Sequence, residues 1–126
     1  LDEALRRAEL YGKAGADILF VESPESEDEM RVICERVEKP LLANMVEGGR
    51  TPVKSRIVLE QLGYRIAIFP ITAMLAATEA MAAVYGTLKS DGSSSDMKQP
   101  LYPFSNLSTL MGFQDVWDFE RKYAED

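Results

Sequence analysis

The sequence contains no histidine. The side chain that most often acts as a general base near neutral pH is therefore absent, and chemistry here has to rest on carboxylates or on residues that this chain does not contain. A single cysteine, Cys34, excludes an internal disulfide framework and suits a reducing compartment, the cytoplasm or a reduced organelle. No apolar run reaches the roughly 18 residues of a membrane span, and the N-terminus carries no signal-peptide pattern. Lysine and arginine number 14 against 21 aspartates and glutamates, giving a net charge of −7. No basic cluster is long enough to track a nucleic acid, so neither nucleic acid nor membrane is expected as a partner. The acidity reads as solubility.

What is present is a repeated alternation of helix and strand. Leu1, Ala4, Leu5, Ala8 and Tyr11 recur at helical steps as far as Lys13, and Gly15 is a stop. "ADILFVE" (16–22) is a continuous apolar run, as expected of a strand covered on both faces. Ser26 and Glu29 then have capping-box spacing ahead of a Met30, Ile33, Cys34 and Val37 stripe. The next strand is "LLANMVE" (41–47). Thr51 and Pro52 read as the cap and first position of a helix whose inward residues are Ile57, Val58 and Leu62. "RIAIFP" (65–70) is the last strand, followed by an Ala- and Met-rich helix over about 72–89.

This alternation predicts an α/β chain with parallel strands and right-handed crossovers, as part of a doubly wound sheet or of a (β/α)8 barrel. Residues 1–90 form the strand-bearing domain. Residues 91–126 begin with a polar, Ser-rich flexible joint and continue as a tail with one helix over 113–126, while 101–112 read as irregular. Val116, Phe119 and Tyr123 lie roughly on one side of that helix, an apolar face suited to docking in cis or on a partner.

In parallel α/β structures, ligands bind at the carboxyl ends of the strands. Polar groups fall there in this chain. Glu22 ends the first strand and shares a face with Ile18 and Phe20 by period-two alternation. Asn44 interrupts an apolar run, and its amide has several hydrogen bonds to satisfy. Glu47 follows, then Gly48 and Gly49, whose backbone N–H groups and following helix start would favour an anion. Each has a plainer reading: a solvated carboxylate, an amide tying down a loop, a turn. Cys34 lies on an apolar stripe and reads as a small hydrophobe rather than a nucleophile. The acidic run Glu25, Glu27, Asp28 and Glu29 suits a helix N-terminus better than a metal.

"AGADILFVESPES", "KPLLANMVEGGRTP" and "LGYRIAIFPITAMLAATEAM", in that order, resemble the C-terminal part of the isocitrate lyase/phosphoenolpyruvate mutase superfamily. The likeness is closest to methylisocitrate lyase- and 2,3-dimethylmalate lyase-like members. It implies the last three βα units of a TIM-type (β/α)8 barrel and an Mg2+-dependent carbon–carbon lyase. The implied substrate is a small 2-hydroxy di- or tricarboxylate, cleaved through the enolate of an α-keto acid. Carried over by position, Glu22 matches a strand-end glutamate near the substrate. Asn44 matches an asparagine that binds a substrate carboxylate, with Met45, Val46 and Glu47 completing the contact. The family's metal-binding aspartates and its Lys-Lys-Cys-Gly-His loop have no counterpart here, and Cys34 is not their replacement. No residue of this chain is assigned as catalytic or as a metal ligand. The expectation is thus a fragment, inactive alone, whose complete form is a homo-oligomer exchanging helix 71–89 between subunits. Gly48, where methylisocitrate-cleaving members often carry Phe, leans toward a dimethylmalate-type substrate. A mutase or an oxaloacetate hydrolase of the same superfamily, and a non-catalytic assembly module, are the competing readings.

Overall fold

A left-handed Gly15, at φ 111°, stops the first helix, α1 (Asp2–Lys13), and turns the chain into β1 (Leu19–Phe20). The computed structural model describes residues 1–124. Beyond β1 follow α2 (Glu27–Arg36), β2 (Leu41–Asn44), α3 (Arg56–Leu62), β3 (Ile66–Ile68) and α4 (Thr72–Asp91). The tail holds α5 (Phe104–Leu110) and α6 (Phe113–Tyr123). Compact packing divides the chain into two units, Leu1–Thr78 and Glu79–Asp126, with the division inside α4.

The strands are parallel and lie in the order β1-β2-β3. Leu19 pairs with Leu41 and Phe20 with Leu42, while Leu42, Ala43 and Asn44 pair with Ile66, Ala67 and Ile68. Alternation sends Leu19, Leu41 and Ala43 to one side, where they are buried. Leu5 and Ala8 of α1, Met30 and Ile33 of α2 and Leu59 of α3 join them in one core. Fully buried side chains of this size each contribute about 1.5–3 kcal/mol. The opposite side is different. Ile18, Phe20 and Ile68 are 48%, 45% and 41% exposed, so the expectation of strands covered on both faces does not hold in this chain.

α2 starts as its spacing predicts: Ser26 Oγ accepts from the Glu29 N–H at 3.1 Å. The return arm reaches one residue further back, with the Glu25 N–H donating to Glu29 Oε2 at 2.7 Å. α3 does not start at Thr51-Pro52. Its cap is Ser55, whose side chain accepts from the Val58 N–H, and Leu59 rather than Ile57 turns inward. Just ahead of the cap, the Lys54 N–H donates to the Met45 sulfur rather than entering the helix, and its side chain donates to Glu27.

In the second unit, α5 forms where the sequence reads as irregular. Its Ser108 and Thr109 hydroxyls donate back to the Phe104 and Ser105 carbonyls, so residues that usually compete with a helix are satisfied inside it. α6 carries the ring pairs Phe113–Trp117 and Phe119–Tyr123 and ends at Tyr123. The expected helix extended to 126, and its last two positions lie outside the described residues. Among the described residues, no helix is long and apolar enough to cross a membrane.

Candidate functional site

The uncovered face of the sheet carries Phe20, Leu42 and Ile66 in one row, since these residues pair across the strands. The next row toward the carboxyl ends holds Asn44 and Ile68, and Glu22, two residues past the end of β1, falls in line with them if the alternation continues. Two polar groups therefore stand at one rim, on the face that no helix fills.

Asn44 is half-buried, and its Oδ1 is buried with no hydrogen-bond donor among the described residues. A buried acceptor without a partner costs about 1–3 kcal/mol. Asn44 lines a cavity of about 10 Å3 together with Ser23, Thr51 and the core residues Met30, Met45 and Tyr64. That is room for roughly one water molecule. Glu22 is exposed and accepts a hydrogen bond from Ser23 Oγ at 2.9 Å. Ser23 itself takes a left-handed backbone, φ 53°, immediately before the buried Pro24. Such a conformation costs a non-glycine residue about 1–3 kcal/mol, and strain of this kind collects at functional rims. Glu22 also lines a groove of about 500 Å3 with Arg7, Tyr11 and Phe20 along the free edge of β1. Glu22 and Asn44 thus share a face and a rim but line different hollows.

Glu47 is tied down: Thr72 Oγ1 donates to its Oε1 at 2.7 Å, joining the end of β2 to the first residue of α4. Met45 is not at the rim. Its side chain is 0% exposed on the covered face, its sulfur accepts from the Lys54 N–H at 3.4 Å, and its own N–H donates to the Ile68 carbonyl. Alternation explains this, because Asn44 and Met45 point to opposite sides. Val46 is half-buried, and its carbonyl accepts from the Gly49 N–H in a tight turn. Gly48 holds the left-handed position of that turn, φ 75°. A Cβ on Gly49 would lie 3.1 Å from the Val46 oxygen. The turn accounts for both glycines, and the helix start expected to follow them is displaced to Arg56.

Ser23, Lys54 and Thr72 are the rim residues that sequence reasoning missed. Each is an ordinary polar residue in a loop or at a helix start. For Lys54 and Thr72, only the proximity of residues far apart in sequence reveals them, as with Lys54 Nζ donating to Glu27 Oε2 at 2.6 Å. That hydrogen bond holds the Glu27 carboxyl below its usual pKa, helped by the lysine's charge. Cys34 is half-buried, and burial pushes its thiol up to about 11, which fits a packing role. Among the described residues, no group of three or more His, Cys, Asp or Glu side chains gathers to hold a metal. Glu22 and Glu47, on separate loops, do not make a ligand set.

Comparison with known proteins gives a consistent result. The family model for phosphoenolpyruvate phosphomutase matches residues 1–89. The 2,3-dimethylmalate lyase of Eubacterium barkeri is 44% identical over 98% of this chain, which covers 43% of that protein. The 2-methylisocitrate lyase of Aeropyrum pernix is 38% identical over 98% of the chain, which covers 39% of it. A crystal structure of 2,3-dimethylmalate lyase superimposes with a TM-score of 0.81 at 31% identity, over 97% of this chain and 43% of that one. The chain therefore spans about two-fifths of the length of these relatives.

Proposed function

Because the chain belongs to the phosphoenolpyruvate mutase/isocitrate lyase superfamily, we propose that its rim forms the substrate-gripping side of a carbon–carbon lyase. The substrate would be a small 2-hydroxy di- or tricarboxylate. One observation carries the reading: the buried, unpartnered Oδ1 of Asn44 at the carboxyl end of β2. A 2-hydroxy acid offers the donor this amide lacks, at a place where a single water would otherwise fit. Its hydroxyl donates to Oδ1 while its carboxylate accepts from the amide NH2. Glu22, which accepts from the Ser23 hydroxyl, stands just past the end of β1 and lines the neighbouring groove. The Val46 turn and the backbone of Gly48 border the rim, and Glu47 braces it through Thr72. Met45 takes part only through its backbone.

In this reading Mg2+ serves the complete enzyme by stabilising the enolate oxygen. Its ligands come from outside this chain, whose described residues offer no ligand cluster. The sheet supports the same division of labour. With three strands and one sheet face left open among the described residues, the chain alone is expected to give no turnover. A dimethylmalate-type substrate is favoured by the small Gly48 and by the 44% identity to a lyase of that name. α4 has no buried residue in its 20, and Met74, Leu75, Met81 and Tyr85 stand exposed along it. That supports its exchange with a second subunit.

The test is keto-acid release from 2,3-dimethylmalate and from methylisocitrate with Mg2+. It compares the chain alone with the chain joined to the upstream segment its relatives carry. The joined protein turns over, runs above monomer mass in light scattering, and loses roughly 100-fold or more of kcat/KM on Asn44→Ala, as for a lost, well-aligned polar contact to the transition state. Undiminished activity in Asn44→Ala, or turnover by the chain alone, contradicts the proposal.

A further inference from the structure

We propose that Lys54 and Glu27 are positioning residues that staple the loop after β2 to the loop after β1, so that Asn44 and Glu22 are held at one rim. This rests on the functional reading of that rim given above. The plain alternative is an ordinary surface ion pair, most of which contribute little. Several features set this pair apart. It spans 27 positions in sequence and is short, 2.6 Å from Lys54 Nζ to Glu27 Oε2. The Lys54 side chain is only 25% exposed. Its backbone N–H is committed as well, donating to the Met45 sulfur at the foot of the same loop. Lys54 is thus fixed at both ends, between the buried end of β2 and the first residue of α2.

Glu27 is equally committed. Its second oxygen, Oε1, lies 3.5 Å from Arg31 Nη2, and Arg31 also holds Asp28. A helix N-terminus favours a carboxylate there without any lysine, so the helix alone explains Glu27 but not Lys54. A second link runs parallel, with Arg50 Nη1 3.8 Å from Glu25 Oε1. Beyond it, the Thr72–Glu47 hydrogen bond ties the same β2 loop to the start of α4. The three strand-end loops are therefore chained across the rim, and the Lys54–Glu27 pair is the least exposed of the ionic links. Loops carrying a site are drawn from the least stable parts of a fold, and such cross-links fix their geometry.

Hydrogen–deuterium exchange on the chain as it stands tests the staple without any ligand. Lys54→Met keeps the aliphatic stem and removes the charge, Glu27→Gln removes the acceptor's charge, and Lys54→Arg restores a cation. The first two are expected to speed exchange roughly three- to tenfold within residues 22–27 and 45–54, leave α1 and Leu41–Ala43 unchanged, and be reversed in Lys54→Arg. Unchanged loops, or a uniform rise through the core that Lys54→Arg shares, would overturn it. Calorimetric titration of oxalate with Mg2+ into the joined protein adds the functional arm: Lys54→Met weakens binding and Lys54→Arg recovers it. Equal affinity in all three overturns the positioning role. If the unmodified protein binds no oxalate, the functional reading of the rim fails, while the exchange result still decides the staple.

Discussion

Cys34 and Met45 show how one position's parity decides its role. Cys34 packs on α2 beside Gly63, where a Cβ on the glycine would come within 3.1 Å of the cysteine's own. With its thiol pushed up to about 11 by burial, the thiolate fraction at pH 8 is roughly 100-fold below that of an ordinary cysteine. Alkylation by iodoacetamide at pH 8 is therefore expected to be slower by about that factor, and to approach the free-thiol rate only on unfolding. The sign for stability follows from the raised value. The neutral thiol's contribution is complete below the usual cysteine pKa and is lost as pH rises toward 11. The Cys34 assignment was legible in sequence, because an i, i+3, i+4, i+7 stripe names its own members. Met45 lies on the covered face although the stretch Asn44–Glu47 reads as one block. A strand's period of two puts alternate residues on opposite faces, and that rule was already available.

Among the elements, the helix starts divide the legible from the hidden. Ser26 with Glu29 is a local signal, and α2 begins where it says. Ser26→Ala is expected to cost about 1 kcal/mol, seen as a lower denaturation midpoint with unchanged m-value. The Thr51-Pro52 signal is as strong on paper, yet α3 waits for Ser55. Ahead of Ser55, Lys54 is engaged by distant residues, its N–H with Met45 and its side chain with Glu27. No window on the sequence contains that contact. α5 was hidden for a different reason, since serine, threonine and asparagine favour caps and turns until their hydroxyls find carbonyls inside a helix. Strand existence was legible from the apolar runs. Strand length was not, because only the central residues of each run pair.

At the scale of the molecule, the sequence left a doubly wound sheet and a barrel open. The placement of the helices separates them. A doubly wound sheet needs helices on both faces, whereas α1, α2 and α3 all cover one face of a sheet whose strands follow chain order. This is the pattern of a barrel wall, about three βα units of a (β/α)8 fold, in agreement with the superfamily. The uncovered face, with Phe20 and Ile68 half exposed and Asn44 at its upper edge, then becomes the barrel's interior. The most direct measurement is a crystal structure of the chain joined to its relatives' upstream segment, grown with oxalate and Mg2+. The account predicts the oxalate at the carboxyl ends of the strands, about 2.7–3.2 Å from the Asn44 amide. Oxalate bound elsewhere, or Asn44 packed among apolar side chains with no anion near it, would contradict it.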